Sequence, residues 1–417
     1  PPPTPTLTAD QRAVAAWRPK TWAASARGRL IRVIAHAGTG KTTTLTALAA
    51  GLSASAAPTN AGEAPWLRLS YWTFNRAAAV DAATRFGPRS TKSGVDARSI
   101  NSALLGYVQR GERDAGRPRL ECPPRLPQTM ETLAEILDGA GLDDVAADRA
   151  AARRLKGADA RSKCVDTTRR SLARWAWQTV ERFCRSAADD VRASHVPEGV
   201  QRQDDAFRAK HAPPSGALRP YLVKWAKLLF ARAEDPEDPS VACTQEVMQQ
   251  VALRRLRAAP GESLGWGWGS GPPPHVLLVD EAQDLDECML AVVECQRKRG
   301  PTTVILVGDP AQSLYGFRGA SADALRDSDR FGRADSEFAL ARSFRFGPAI
   351  AREANRLLSV RRRYDRSFQF QPVVGCGPKD RTGQGAGASV VRSWATDGLP
   401  KAPYAFVCRT NRGAVEA

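Results

Sequence analysis

Eight cysteines stand apart at positions 122, 164, 184, 243, 288, 295, 376 and 408, and not one C-x-x-C pair occurs among them. Neither a zinc site nor a disulfide framework is therefore indicated, and a reducing compartment is the natural expectation. No apolar run approaches the length of a membrane span, and no charged-then-apolar segment opens the chain, which argues against a membrane partner and a secretory leader. Acidic charge is short as well: 44 Asp and Glu face 61 Lys and Arg, a formal net charge of +17. Such a surplus fits a polyanionic partner. With 42% hydrophobic residues over 417 positions, the chain has material for two or three domain cores.

The basic surplus is not spread evenly. Between Arg342 and Arg366 lie arginines 342, 345, 352, 356, 361, 362, 363 and 366, against only Glu353 and Asp365. An arginine cluster inside a patterned region, rather than in a tail, favours nucleic-acid binding over a generic solvated face.

The first stretch with specific chemistry is AHAGTGKT, from Ala35 to Thr42, preceded by LIRVI and followed by TTLTALAAGL. That is strand, loop, helix. Small residues let backbone N–H groups curl around a β-phosphate, Lys41 reaches the β/γ oxygens, and Thr42 supplies a hydroxyl for Mg²⁺ at the helix start. Ala35 stands where a glycine commonly opens this pattern. The nucleotide cradle is expected to comprise Ala37, Gly38, Thr39, Gly40, Lys41, Thr42 and Thr43.

Farther along, HVLLVDEAQD ends in Asp280, Glu281, Ala282, Gln283 and Asp284. Val276 to Val279 read as a buried parallel strand with Asp280 at its carboxyl end, where ligands of open α/β sheets sit. The two adjacent carboxylates are expected to divide the labour: Asp280 holds the magnesium shell, while Glu281 orients or deprotonates the attacking water. Together the two segments point to a nucleotide-hydrolysing motor with ATP and Mg²⁺, rather than a protein that only binds phosphate.

Hydrophobic period gives the organisation. Strand signals at Leu30 to Ile34 and Leu67 to Thr73 are each followed by a helical pattern, the winding of an α/β domain. From about Gly106 to Ser270 long amphipathic helices take over; Arg169 to Ala187 carries Leu172, Trp175, Ala176, Val180 and Phe183 on one face. Trp175, Trp177 and Trp225 read as core rather than base-stacking platforms. GESLGWGWGSGPPP, Gly261 to Pro274, reads as a flexible return linker in which Trp266 and Trp268 pack on the surface. Strands resume at Val276 and Thr303 to Val307, with a helix between them. The first domain is thus split into 1–105 and 271–332 around an insertion at 106–270. A further domain is expected at 333–417, with strands at Phe338 to Leu340, Val390 to Ser393 and Ala405 to Cys408. Gly375 to Gly387 reads as a surface loop, since no strand-loop-helix context surrounds it.

Five further segments carry a resemblance. LTADQ (Leu7 to Gln11) looks like an adenine-reading Q motif, YWTFNRAAA (Tyr71 to Ala79) like motif Ia, and VGDPAQSLYGFRGA (Val307 to Ala320) like motif III. ARSFRFGPAIA (Ala341 to Ala351) and YAFVCRTN (Tyr404 to Asn411) resemble motif IV and the segment after it. In these the chain is similar to superfamily-1 DNA helicases of the UvrD/Rep type, and within them to the helicase part of F-box DNA helicases. The resemblance implies an α/β fold: a RecA-like P-loop NTPase domain with a helical insertion, followed by the start of a second RecA-like domain.

It also implies roles. Gln11 reads adenine, Phe344 stacks on its ring, Arg345 reaches the γ-phosphate, and Gln312 senses that phosphate. Lys41, Glu281, Gln312 and Arg345 form the catalytic set, and Thr42 and Asp280 hold the metal. The DNA surface comprises Phe74, Asn75, Ser99, Asn101, Tyr315, Phe317, Arg318, Arg409 and Asn411, with aromatic faces stacking on bases irrespective of sequence. Ser99-Ile100-Asn101 stands where the family has Thr-x-His, which would weaken a DNA contact. The implied activity is ATP-dependent translocation on single-stranded DNA and tailed duplex, 3′ to 5′, in repair or recombination, by a monomer that is nuclear in a eukaryote and cytoplasmic or nucleoid-associated otherwise. The family continues beyond Asn411 with a second arginine and DNA-gripping segments, so the chain reads as a fragment or truncated product. The competing readings are a truncated ATP- and DNA-binding module without unwinding and a small-molecule kinase; the GDPAQSLYGFRGA segment argues against the kinase.

Overall fold

The apolar runs VLLVD and TVILVG are buried along their whole length, the pattern of strands covered on both faces of a parallel sheet. A computed structural model describes residues 6–19, 28–55, 67–87, 95–123, 125–259, 264, 273–299, 302–326, 331–366, 368 and 371–377. Residues 1–36 with 40–340 form one unit, and residues 37–39 with 341–417 form another.

The first unit is built on strands β1 (Leu30–Ala35), β2 (Leu69–Thr73), β3 (Val95–Ser99), β4 (Val276–Asp280), β5 (Thr303–Gly308) and β6 (Ser336–Leu340), in the order β3-β2-β4-β5-β1-β6. Every pairing is parallel, so all carboxyl ends share one edge. Alternation along the strands supplies two cores. Ile31, Val33, Tyr71, Leu278, Ile305 and Val307 face one way, onto α1 (Ala9–Ala15), α2 (Lys41–Ser55) and α3 (Arg76–Phe86). Trp72, Leu277, Val279, Val304 and Leu306 face the other.

That second face is covered by a helical layer inserted between β3 and β4: α4 (Ile100–Asp114), α5 (Met130–Asp138), α6 (Leu142–Ala152), α7 (Ala158–Cys184), α8 (Glu198–His211), α9 (Arg219–Glu234) and α10 (Gln245–Ala258), together with α11 (Glu287–Arg299) after β4. Leu172, Ala173, Ala176, Val180 and Phe183 recur at the three- and four-residue spacing that puts them on one buried stripe of α7. Trp225 is fully buried and Trp177 nearly so, while Trp175 packs partly buried against the same core, all on the apolar side of the insertion. Phe183 and Phe230 meet edge to face with ring centres 5.0 Å apart. Two ion-pair clusters lie in this interior: Arg149 and Asp204 meet at 2.7 Å, both buried, and the fully buried Glu112 is held by Arg117 and Arg255. Among the described residues no helix is long and apolar enough to cross a membrane.

Three features depart from the sequence reading. The strand expected to open the second domain, Phe338 to Leu340, instead lies in β6 and pairs with β1, Val33 opposite Phe338 and Ala35 opposite Leu340. Otherwise β1 would be an open edge. Asp335 locks the register, its carboxylate accepting from Leu30 N–H at 2.8 Å and its own N–H donating to Leu30 O at 2.8 Å. The helical layer begins at Ile100, directly after β3, rather than near Gly106. Strand β3 itself, VDARS, carries no strand signal in the sequence, because it is polar; Asp96 and Arg98 are buried as an ion pair of 2.8 Å.

In the second unit β7 (Arg342–Ser343) pairs in parallel with β8 (Val374–Gly375), and α12 (Pro348–Tyr364) carries much of the arginine cluster. Asn355 ties α12 to Val373 through two hydrogen bonds of 2.9 Å. Segments 390–393 and 404–411, Trp266 and Trp268, and most of Gly375 to Gly387 lie outside the described residues.

Candidate nucleotide site and adjoining groove

A parallel sheet gathers the loops leaving its strands along one edge, and here that edge holds the loop after β1 and the acidic turn after β4. Helix α2 starts at Lys41, so its first N–H groups have no carbonyl partner within the helix and are available to an anion. Gly40, at φ 77°, takes a left-handed turn, and a Cβ there would lie 2.6 Å from Gln11 Nε2. Gln11 is buried, and its Oε1 accepts from Thr8 N–H at 2.9 Å in a capping box that fixes α1. The side chain thus reaches the loop, with its amide oxygen engaged by Thr8.

Lys41 Nζ lies 3.1 Å from Glu281 Oε2, with only 12% of the lysine side chain exposed. Glu281 has a left-handed backbone, φ 53° and ψ 42°, a conformation that costs a non-glycine residue about 1–3 kcal/mol and tends to persist where function requires it. That turn sends Asp280 and Glu281 different ways. Asp280 is buried; its Oδ2 accepts from the Tyr71 hydroxyl at 2.7 Å and its Oδ1 from Glu281 N–H at 2.9 Å. Burial and the neighbouring Glu281 charge push its carboxyl above the usual range, against the pull of Lys41 and Tyr71. Burial, then Asp280, in turn drive the Tyr71 phenol above its ordinary range, so it remains a donor.

A chain of amides leads away from this point. Gln283 Nε2 donates to Glu281 Oε2 at 2.9 Å, and Gln283 Oε1 accepts from Asp309 N–H at 3.1 Å. Asp309 accepts from Gln312 Nε2 at 2.7 Å and lies 3.6 Å from His36 Nδ1, just before the phosphate loop. Burial raises the Asp309 carboxyl, but hydrogen bonds from His36, Gln312 and Ala311 outweigh it and hold the group below its usual range.

Glu281, Gln283 and Gln312 also border a groove of about 620 Å³ with Phe74, Tyr315 and Arg318 on its walls. The rings of Phe74 and Tyr315 stand 5.4 Å apart. Asn75, Ser99 and Asn101 line it too, and each has a local task. Asn75 Oδ1 caps α3 by accepting from Ala77 N–H at 2.9 Å, and Ser99 Oγ caps α4 by accepting from Ser102 N–H at 3.3 Å. Asn101 donates to Gln245 at 3.2 Å and accepts from Gln249 at 2.6 Å. Six residues expected on a DNA surface therefore come together in one groove; the side chain of Phe317, and Arg409 and Asn411, lie outside the described residues. Burial, followed by the Glu281 charge, pushes the Asp284 carboxyl up to about 6, and burial pushes Asp286 up to about 7.

In the second unit, Ser343 Oγ donates to Ala37 O at 2.7 Å and Phe344 N–H donates to Gly38 O at 2.8 Å. Gly38 has φ 71°, and a Cβ there would meet Arg345 Cβ at 2.4 Å, so the approach tolerates only glycine. Thr39 is buried, and Phe344 leaves 45% of its surface exposed.

The donor set suits Mg²⁺ and a polyphosphate: Thr42 offers a hydroxyl, Asp280 a carboxylate, and Gly40 a turn that a side chain would fill. Oxygen ligands of this kind bind hard cations that keep part of their coordination for substrate phosphate. The sequence alone gives no distinct role to Tyr71, His36, Gln283 or Asp309, although each adjoins or lies within a recognised segment. Arg185, Gln245, Glu246 and Gln249 line the groove from the insertion, where no local signal marks them.

The sequence is similar to those of known proteins. Residues 273–331 match the family model of the UvrD/REP helicase N-terminal domain. The chain is 25% identical over 334 residues to F-box DNA helicase 1 of Gallus gallus, covering 80% of this chain and 26% of that protein. It is 26% identical over 354 residues to DNA helicase IV of Escherichia coli, 78% of this chain and 44% of the relative. An 85-residue stretch is 39% identical to F-box DNA helicase protein 1 of Schizosaccharomyces pombe, 20% of this chain and 9% of that one. The chain thus spans less than half the length of these relatives.

Proposed function

Because the chain is of the UvrD/Rep type among superfamily-1 helicases, we propose that it hydrolyses ATP and uses the energy to move along single-stranded DNA, separating tailed duplex in the 3′-to-5′ sense in repair or recombination. The observation that carries this reading is the position of Glu281: it pairs with Lys41 at 3.1 Å and at the same time borders the groove of Phe74, Tyr315 and Arg318. A residue shared by both places lets occupancy of one be felt in the other.

Lys41 and the α2 N-terminus bind the β/γ-phosphates, and Gln11 meets the adenine edge. Thr42 and Asp280 would hold Mg²⁺, which when bound neutralises charge on the phosphate oxygens. Release of Lys41 to the phosphates frees the Glu281 carboxylate to orient the attacking water. Gln312, held by Asp309, registers the γ-phosphate, and its neighbours Tyr315 and Arg318 carry the response into the groove. Phe344 and Arg345 keep the adenine-stacking and γ-phosphate roles that the resemblance implies. The motor comprises the six-stranded sheet with its helical insertion, and the second unit begins a further RecA-like domain.

Steady-state ATPase with and without single-stranded DNA tests the proposal. Stimulation by DNA is expected, with Glu281→Gln retaining Mg·ATP binding but losing turnover, and Lys41→Ala losing nucleotide affinity. Parental turnover in Glu281→Gln would remove the general-base assignment. ATP and DNA binding without stimulation would favour a binding module instead.

A further inference from the structure

Arg185, at the C-terminal cap of α7, places Nη2 3.3 Å from Glu246 Oε1. Arg318, after β5, brings its own Nη2 to the same oxygen at 3.4 Å. Glu246 stands in the first turn of α10 with its side chain 17% exposed, beneath arginine side chains that are 21% and 45% exposed. All three border the groove that Phe74 and Tyr315 enter. Both contacts are longer than the 2.7–2.9 Å typical of a tight charge-assisted bond, and each uses one of the five N–H donors that a guanidinium carries. One carboxylate therefore holds two guanidiniums near each other without saturating either. Glu181 and Asp286 also interact with Arg185, and burial holds both carboxyls above the usual carboxylate range; Glu281 and Asp284 line the same groove.

We propose that Arg185 and Arg318 form a subsite for one backbone phosphodiester of the single strand, with Glu246 as the positioning residue that holds both guanidiniums toward the groove. The proposal rests on the groove being a DNA track, and adds to it a residue from the helical insertion. A phosphodiester offers two non-bridging oxygens and one negative charge, which two converging planar forks match better than a single lysine would. The bound strand then bridges the insertion and the segment after β5, tying the helical layer to the part of the motor nearest the nucleotide.

The test is anisotropy of a labelled oligothymidylate with the full chain over a range of salt, alongside thermal melts of each variant. Arg185→Ala is expected to weaken binding about tenfold at moderate salt and to make the slope of log K against log salt shallower by about 1. Arg185→Gln provides a second variant of the same sign should the alanine form melt early, and Arg185→Lys should keep the parental slope. Glu246→Ala should weaken binding, and within that background the loss of Arg185 should matter less than in the parent. Parental affinity and slope in folded Arg185→Ala or Arg185→Gln would overturn the subsite, and tighter binding by Glu246→Ala would overturn the positioning role. If Phe74→Ala impairs binding while the Arg185 variants do not, this inference alone fails. If the parent shows no salt-dependent binding at all, the groove reading falls and takes the subsite with it.

Discussion

Glu281 is where the contact with Lys41 and the adjoining groove meet, and its left-handed backbone explains how adjacent carboxylates reach different partners. Tyr71 is the less obvious contributor, since its hydroxyl is one of two donors to the buried Asp280. Tyr71→Phe should lower stability by about 1–3 kcal/mol in chemical denaturation, the cost of leaving a buried carboxylate short of a partner; an unchanged midpoint would show that the hydroxyl is not needed. Asp286 yields a pH prediction. Its carboxyl rises from an ordinary 3.8 to about 7 on folding, so the folded chain holds the proton more tightly than the unfolded one. The stability contributed is therefore present at low pH and lost as pH rises from about 4 through about 7. Thermal melts at pH 5 and pH 8 should show a smaller decline for Asp286→Asn than for the parent. Some decline should remain, because Asp284 shifts in the same direction. Equal declines would remove Asp286 as its source.

The strands and helices divide into those that hold the site and those that hold the insertion. Strands β1 and β4 end at the phosphate loop and the acidic turn, and each is buried along its length or nearly so. In the insertion, Trp225 is fully buried and donates its indole N–H to Ala140 O at 3.3 Å. Trp225→Ala should cost about 3–5 kcal/mol, from lost burial and the cavity left behind. Calorimetry should show this as an early transition, with Mg·ATP binding retained if the insertion melts apart from the sheet. A variant melting with the parent would mean that the helices do not pack around this residue.

Across the molecule, the net charge of +17 and the aromatic groove would, on the proposed function, make two separable contributions to DNA binding. Phosphate contacts give a linear fall of log affinity with log salt, whereas stacking on Phe74 and Tyr315 is nearly independent of salt. Phe74→Ala is accordingly expected to lose about 1–3 kcal/mol of single-strand affinity while keeping the parental salt slope. Titrations at several salt concentrations check this, and a shallower slope would mean that Phe74 acts by positioning phosphate-binding groups.

The contiguous parts of the candidate site are legible from the chain alone. A phosphate loop is a run of small residues between a strand and a helix, and the acidic turn follows a buried apolar strand, so local backbone preference and period suffice to find Gly38, Gly40, Lys41, Asp280 and Glu281. The caps at Thr8, Asn75 and Ser99 obey similarly local rules. Strand β3 is not legible because VDARS buries an ion pair instead of an apolar stripe, and the sheet that β6 joins is not legible because a single strand does not encode which neighbour will accept it. The Phe74–Tyr315 pair could be anticipated as two motif residues, but not its setting among Arg185, Glu246 and Gln249. Glu246 lies 61 positions from Arg185 and 72 from Arg318, and no periodicity spans such intervals. Their meeting was decided by how α7 and α10 pack over the sheet, since ion pairs between distant segments form only where burial of the apolar faces has already brought the backbones together.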